Sequence, residues 1–249
     1  MPFIYADSTD GVISATGSTY TAARHATTGS VSASSSNNLY AVRAASLSGR
    51  GGGLTYRFAR SFFAFDVSSI SSCTSVSLKL GGYSSAGAGG GIVVMRSNAF
   101  YDGTSSLASG DYDAIVNWNG TSDMTGADKY SAAPGINPNA WSTNSYNTIP
   151  LSSTAENQIN NNDYIVICVV DYAYDYLKAA PVDSGFGSGA LANNVGLHFN
   201  EQAGNKKPYL DIVVTASGFG HDVNGVLAAN IGKINSVATA SIGKINSVD

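Results

Sequence analysis

The chain has 249 residues, 43% of them hydrophobic and only 12% charged, with a formal net charge of −4. The apolar fraction is enough for a sizeable core, while the charged fraction is about half the usual share, so Ser, Thr, Asn, Gly and Tyr must supply the polar surface. The absence of a basic footprint argues against a nucleic-acid partner, and with no apolar run near 18 residues no membrane span is expected.

Low charge with abundant Ser, Thr and Gly is the composition of extracellular β proteins and virus particles. The opening stretch "MPFIYADSTDG" has no charged n-region and no long apolar h-region, so no secretory signal is expected there. A virion protein, made in a cytoplasm and released by lysis, reconciles these two readings. Export by a signal-independent route, or a mature chain already trimmed, reconciles them too. Cys73 and Cys168 lie beside or inside expected strands. Buried free thiols are the simpler reading; a disulfide is the alternative, although two cysteines do not make a framework. No Cys/His cluster has zinc spacing, and His25, His198 and His221 are far apart in sequence.

In chain order, residues 1–50 are rich in Ser, Thr, Ala and Gly, with "GSVSASSS" a short polar strand or loop and "NNLYAVRAASLSG" a strand. "GRGGGLTYRFARSFFAFDV" opens on a glycine turn and runs into another strand. Tyr56 and Phe58 fall on one parity and Phe63 and Phe65 on the other, which predicts a bulge or break near Ala59. In "TSVSLKLGGYSS", Val76, Leu78 and Leu80 alternate with Ser77 and Lys79, the pattern of a half-buried strand. "GIVVMRSNAF" is the next strand.

Residues 101–149 read as loop, with Trp118 and Trp141 as isolated anchors. "STAENQINNN" suggests a short helix, or a strand with a helical turn, for which Ser153 or Thr154 is the candidate cap. "DYIVICVVDYAYDYLK" is the strongest strand pattern, apolar at both parities and therefore covered on both faces. "NVGLHFNEQ" and "KPYLDIVVTAS" complete the set, with Pro208 tolerable at a strand start. Many short strands separated by Gly, Ser and Asn turns predict an all-β antiparallel sandwich.

After the hinge-like "GFGHD" (218–222), an 11-residue repeat begins: "VNGVLAANIGK", "INSVATASIGK", "INSVD". Its equivalent apolar positions are Val223, Val226, Ile231, Ile234, Val237, Ile242, Ile245 and Val248. The period matches a right-handed helical supercoil, but the β-branched residues, Asn-Gly and Ile-Gly pairs are poor helix formers. A β-turn-β shaft with turns at Asn224-Gly225 and Asn235-Ser236 fits better. Burying each of these side chains is worth roughly 1.5–3 kcal/mol, yet so short a segment cannot build its own core. Fully extended it reaches about 90 Å. The tail therefore packs on another copy or a partner, packs on its own domain, or stays disordered; the first of these makes it a connector and is the reading adopted.

No nucleophile elbow or phosphate loop is present. Paired carboxylates could support glycoside hydrolysis; Asp111 with Asp113 and Asp171 with Asp175 are the candidates, and solvated turn residues are the simpler reading. If the strand continues through "DYAYDY", Tyr172, Tyr174 and Tyr176 share one face. They join Trp118 and Trp141 as candidate glycan contacts, against a simpler role as half-wet core edges. The "NGT" at 119–121 is a glycosylation sequon. Asp7 and Asp211 could approach each other and hold a structural calcium if the first and last strands pair; otherwise no cofactor is expected.

"ARSFFAFDVSSISSCTSVSLKLGGYSS" resembles the Arg-x-Phe…Phe-Asp…Ser-x-Ile segment of DNRLRE-type, carbohydrate-binding-module-like jelly rolls, and "VGLHFNEQAGNKKPYLDIVVT" resembles their closing segment. "AFYDGTSSLASGDYDAIVNWN" and "INNNDYIVICVVDYAYDY" are similar to stretches of phage and environmental-virus structural proteins, which can also end in Ile-Gly-Lys-Ile-Asn repeats. The resemblance spans most of residues 55–215 and the tail. It implies a non-enzymatic jelly roll that builds surface structures, with Arg60, Phe62, Phe65 and Asp66 as framework residues.

The expectation is a jelly-roll-like β-sandwich over residues 1–217 and a hinge with repeat tail over 218–249. It would be a structural, non-catalytic subunit of a virion or extracellular fibre, a homo-oligomer with no nucleic-acid or membrane partner. The alternative is a carbohydrate-binding or adhesive module.

Overall fold

The thirteen residues Leu54–Asp66, "LTYRFARSFFAFD", form one unbroken strand at the centre of the molecule. The computed structural model describes residues 2–33, 37–48, 53–86, 91–100, 105–181, 190–202, 206–215, 233–234 and 237–238. In chain order its strands are β1 (Phe3–Tyr5), β2 (Gly11–Gly17), β3 (Ser30–Ala33), β4 (Asn37–Ser48), β5 (Leu54–Asp66), β6 (Cys73–Ala86) and β7 (Ile92–Arg96). Then follow β8 (Tyr146–Pro150), β9 (Tyr164–Asp171), β10 (Ala190–His198) and β11 (Tyr209–Val214). Two helices interrupt them, α1 (Tyr20–Arg24) and α2 (Ser153–Asn161). The strand pairings among the described residues are antiparallel, so the expected all-β antiparallel architecture is what forms.

β5 contains no bulge. Its register against β2 runs evenly from Gly17↔Tyr56 to Gly11↔Phe62, and against β9 from Ser61↔Val169 to Asp66↔Tyr164. Both parities are apolar because both faces are covered. On one face Phe58, Phe62 and Ala64 pack with Val166, Cys168 and Val170 of β9 and with Val93 and Met95 of β7. A layer of turns within residues 105–127, with Tyr112, Ile115 and Met124, closes over them. On the other face Phe63, Phe65, Ile165 and Ile167 are fully buried, and Phe63 stacks on Phe199 at 5.5 Å. The double-sided apolar pattern of β9 has the same cause, as expected for a strand buried on both sides.

β6 joins the two parts of the sheet system. Ser77–Gly81 pair with β8, and Gly82–Ala86 pair with β10. Gly81 and Gly82 mark the change of partner, and neither tolerates a side chain. A Cβ on Gly81 would collide with the Lys206 carbonyl, and one on Gly82 with the Ser142 carbonyl. Along β6, β8 and β11 the alternate residues Leu78, Leu80, Ile149, Leu210 and Ile212 are fully buried.

α1 is capped by Thr19, whose hydroxyl accepts from Ala22 N. α2 starts one residue earlier than the expected caps allow: its N-cap is Ser152, in extended conformation. Ala155 and Ile159, four apart, are its buried face.

By contact density the chain divides into two units, residues 1–213 and 214–249. Within the second, β12 (Lys233–Ile234) and β13 (Val237–Ala238) pair antiparallel, with Ile234 opposite Val237.

Candidate functional site

β1 and β11 pair with Phe3↔Asp211, Ile4↔Leu210 and Tyr5↔Tyr209. Directly opposed residues share a face, so Leu210 goes inward, fully buried, while the rings of Phe3, Tyr5 and Tyr209 share the other side. Phe3 at 55% and Tyr5 at 53% are the most exposed large hydrophobic side chains among the described residues. Tyr209 gathers its neighbours: its ring centroid lies 5.3 Å from Phe3, 5.7 Å from Tyr5 and 5.0 Å from Tyr146 of β8. The Tyr146 hydroxyl donates to the Lys207 carbonyl at 3.0 Å, and burial pushes its ionisation up to about 12. Beside the rings Lys79 and Asp211 pair at 3.6 Å. The result is a flat aromatic face whose flanking charges cancel.

A second cluster lies beneath the surface. Arg60 sits on β5 between Phe58 and Phe62 and is fully buried. Its Nε and Nη2 grip the Asp175 carboxylate at 2.7 and 2.8 Å, the bidentate arrangement that suits guanidinium. Its Nη1 donates to the Tyr112 carbonyl at 2.7 Å and its Nη2 to the Arg24 carbonyl at 3.0 Å. Arg24, also fully buried, donates to the Asp175 carbonyl from Nε at 2.8 Å and to the Ser122 carbonyl from Nη1 at 2.9 Å. Tyr112 lies 4.1 Å from the Arg60 guanidinium, and Trp118 lies 4.8 Å from Arg60 and 5.2 Å from Arg24. Burial is the largest influence on Arg60 and opposes its charge, but the charge of Asp175, its hydrogen bonds and the Tyr112 hydroxyl together outweigh it and the net shift is upward. For Arg24 burial prevails and the shift is downward. The cluster fastens α1, β5, the turn at 109–113 and the turn at 172–176 to one another.

The expected site residues are distributed as follows. The strand ends at Asp171, and Tyr172–Tyr176 wind into a wide π-type turn. The three tyrosines therefore do not form a one-sided strip; Tyr172 and Tyr176 stack on each other at 5.8 Å, and Tyr176 is buried. Trp141 is 9% exposed, and Trp118 is held against the two arginines with its Nε1 donating to Ser122 O. Asp171 and Asp175 are not solvated turn residues. Both are buried: Asp175 is consumed by Arg60, and Asp171 accepts from Tyr174 N at 2.6 Å and from the Asn193 side chain. Burial pushes the Asp171 carboxyl up to about 7. Asp111 accepts from Ala108 N at 2.9 Å, shaping its own turn. Burial raises the Asp113 carboxyl above the usual range. Asn119 of the sequon accepts from Thr121 N and Ser122 N in a tight local turn.

The first and last strands of the sheet do pair, yet this separates Asp7 from Asp211. Asp211 stands opposite Phe3, whereas Asp7 lies past the end of β1, where its N–H donates to the Ala64 carbonyl. Among the described residues no group of three or more metal-ligating side chains gathers. Cys73 and Cys168 are free buried thiols. Among the described residues no helix is long and apolar enough to cross a membrane.

Asp10 was not anticipated. It is fully buried, with Oδ2 accepting from Asn200 N at 3.0 Å and Oδ1 without a partner. Burial pushes its carboxyl up to about 8 against the Asn200 bond, with Glu201 and Asp7 adding to the rise. It is a neutral acid at pH 7.

A groove of about 380 Å³ opens between the end of β7 and the junction of α2 with β9. The side chains of Arg96, Asn98, Gln158, Asn162 and Tyr164 line it, and Arg96 pairs with Asp128 at 3.3 Å. Neither the groove nor the aromatic face was expected. The signal for the face was present: "FIY" places aromatic residues on both sides of an apolar one, and "PYLD" places Tyr209 beside the apolar Leu210. The groove joins residues some sixty positions apart and left no local pattern.

Of the tail positions, Ile234 and Val237 belong to the short strand pair. Val223, Val226, Ile231, Ile242, Ile245 and Val248, and the expected turns at Asn224-Gly225 and Asn235-Ser236, lie outside the described residues. No protein-family model matches the chain, and no curated protein matches it.

Proposed function

We propose that the chain is a non-catalytic structural subunit that assembles with copies of itself into a virion component or an extracellular fibre, with the repeat tail engaging a neighbour. The observation that carries this reading is the aromatic face of Phe3, Tyr5, Tyr146 and Tyr209. A soluble monomer seldom leaves such rings together in water, and beside them Lys79 and Asp211 offset each other's charge. The repeat tail adds a second apolar element that cannot bury itself. The low overall charge reduces repulsion between densely packed copies. The strongest buried charges support the same conclusion, because the Arg60–Asp175 cluster is closed to any substrate. The test compares the full chain with one stopped after Gly220 in the electron microscope. Fibres or defined oligomers formed by the full chain alone support the reading; identical monomers contradict it.

A carbohydrate-binding or adhesive module is the second reading, and the groove favours it. Its amide side chains, Asn98, Gln158 and Asn162, beside the Tyr164 ring, are groups that hydrogen-bond hydroxyls and cover a sugar face. Saturable binding to a polysaccharide, lost on Asn98→Ala, supports it.

A further inference from the structure

The backbone of β1 carries information that its side chains do not. Its hydrogen bonds to β11 come from alternate residues: Ile212 N donates to the Pro2 carbonyl at 3.3 Å and Ala6 N to the Pro208 carbonyl at 3.0 Å, with Ile4 opposite Leu210 between them. In an antiparallel ladder the intervening residues point their N–H and C=O groups the other way. Those residues are Phe3 and Tyr5, and among the described residues β1 is the terminal strand on that side of the sheet. The open edge has definite limits. Pro2 has no N–H to offer. Beyond Ala6 the chain turns off, as Asp7 N donates to the Ala64 carbonyl at 2.8 Å. Protected edges usually carry a charge, often lysine; β1 carries none.

We propose that β1 is a self-pairing edge: β1 of one copy adds antiparallel to β1 of a second copy, about a two-fold axis through Ile4. This rests on the self-assembly reading and names one of its contacts. In this register Phe3 lies opposite Tyr5 of the partner subunit, and Tyr5 opposite Phe3 of the partner subunit. Both are hydrogen-bonded pairs, so every open N–H and C=O of the two residues finds a partner. Opposed residues share a face, so the most exposed rings of each copy meet, flanked by Tyr209. A slip of one residue would place Ile4 against the aromatic face and leave backbone groups unmatched. Rings alone would suit a sugar; open donors and acceptors in strand geometry suit another strand. The edge is short, and the area it buries falls below the roughly 1,000 Å² of a stable interface. It is therefore a weak contact, made effective by repetition along an assembly.

Disulfide trapping in the full chain tests this. Opposed Cα atoms in such a pair lie about 5.5 Å apart, within disulfide range, whereas two copies of the same position lie farther apart along a diagonal. The native thiols are buried and do not compete. A mixture of Phe3→Cys and Tyr5→Cys chains should cross-link several-fold faster than either variant alone. As a second variant, Tyr5→Pro removes an outward N–H and no bond to β11. It should weaken self-association in sedimentation while leaving the melting temperature unchanged. Equal cross-linking in mixed and single samples overturns the pairing. If fibres still form in that case, self-assembly stands and the contact lies elsewhere. If the full chain stays monomeric at every concentration, both readings fall. Saccharide binding that is lost on Tyr5→Ala, without mixed cross-linking, overturns the pairing in favour of a sugar face.

Discussion

Asp175 neutralises two buried arginines at once, so its removal is expected to be severe. Asp175→Ala leaves Arg60 and Arg24 desolvated without a counter-charge, a change that costs about 3–5 kcal/mol; urea unfolding measures it. Asp10 gives the opposite kind of effect. Its carboxyl titrates at about 8 in the folded chain, against about 3.9 when unfolded. The folded state therefore holds the proton more tightly, and stability is greatest below the unfolded value. It declines as the pH rises through that window and is lost above about 8. Asp10→Asn keeps a neutral group of the same shape and should flatten the fall in urea midpoint between pH 5 and pH 9. An unchanged slope would mean that Asp10 does not ionise in this window. The sequence showed Arg60 on the parity of Phe58 and Phe62, which marks a buried arginine. It could not show the partner, because Asp175 lies 115 residues away and reaches Arg60 only through the fold.

At the scale of elements, local alternation was reliable wherever one face met water. β6, β8 and β11 each bury alternate residues, and the first and last of these were readable as strands from "VSLKL" and "PYLDIVV". It failed where both faces were covered. In β5 the change of parity between Phe58 and Phe63 suggested a bulge, yet the strand is straight because turns cover one face and the opposing sheet the other. In "DYAYDY" the alternation continued while the backbone did not: the Asp171 carboxylate caps Tyr174 N and diverts the chain into a turn. A tertiary demand, the delivery of Asp175 to Arg60, outweighs the strand pattern there. The Gly81-Gly82 pair falls inside the strand expected from "TSVSLKLGGYSS" and lies within β6 at its change of partner. Gly82→Ala forces a methyl group into the Ser142 carbonyl. The expected loss is about 1–3 kcal/mol, the usual range for overpacking, seen as a lower denaturant midpoint with an unchanged slope.

At the scale of the whole molecule, few charges, an uncharged aromatic edge and an 11-residue repeat converge on association between copies. Each element is weak alone: a three-residue strand and a tail without its own core. Together they would act through avidity, since two modest contacts on one chain bind far more tightly than either. The all-β class and the composition of the tail were legible because they depend on local residue types. The proposed assembling surface was not, because it depends on which strand ends at the edge of the sheet. The most direct measurement is sedimentation velocity of the full chain over a range of concentrations, beside the chain stopped after Gly220. The account predicts large species for the full chain and a weak, concentration-dependent dimer for the shortened one. Two proteins that both remain monomers at the highest concentration would contradict it.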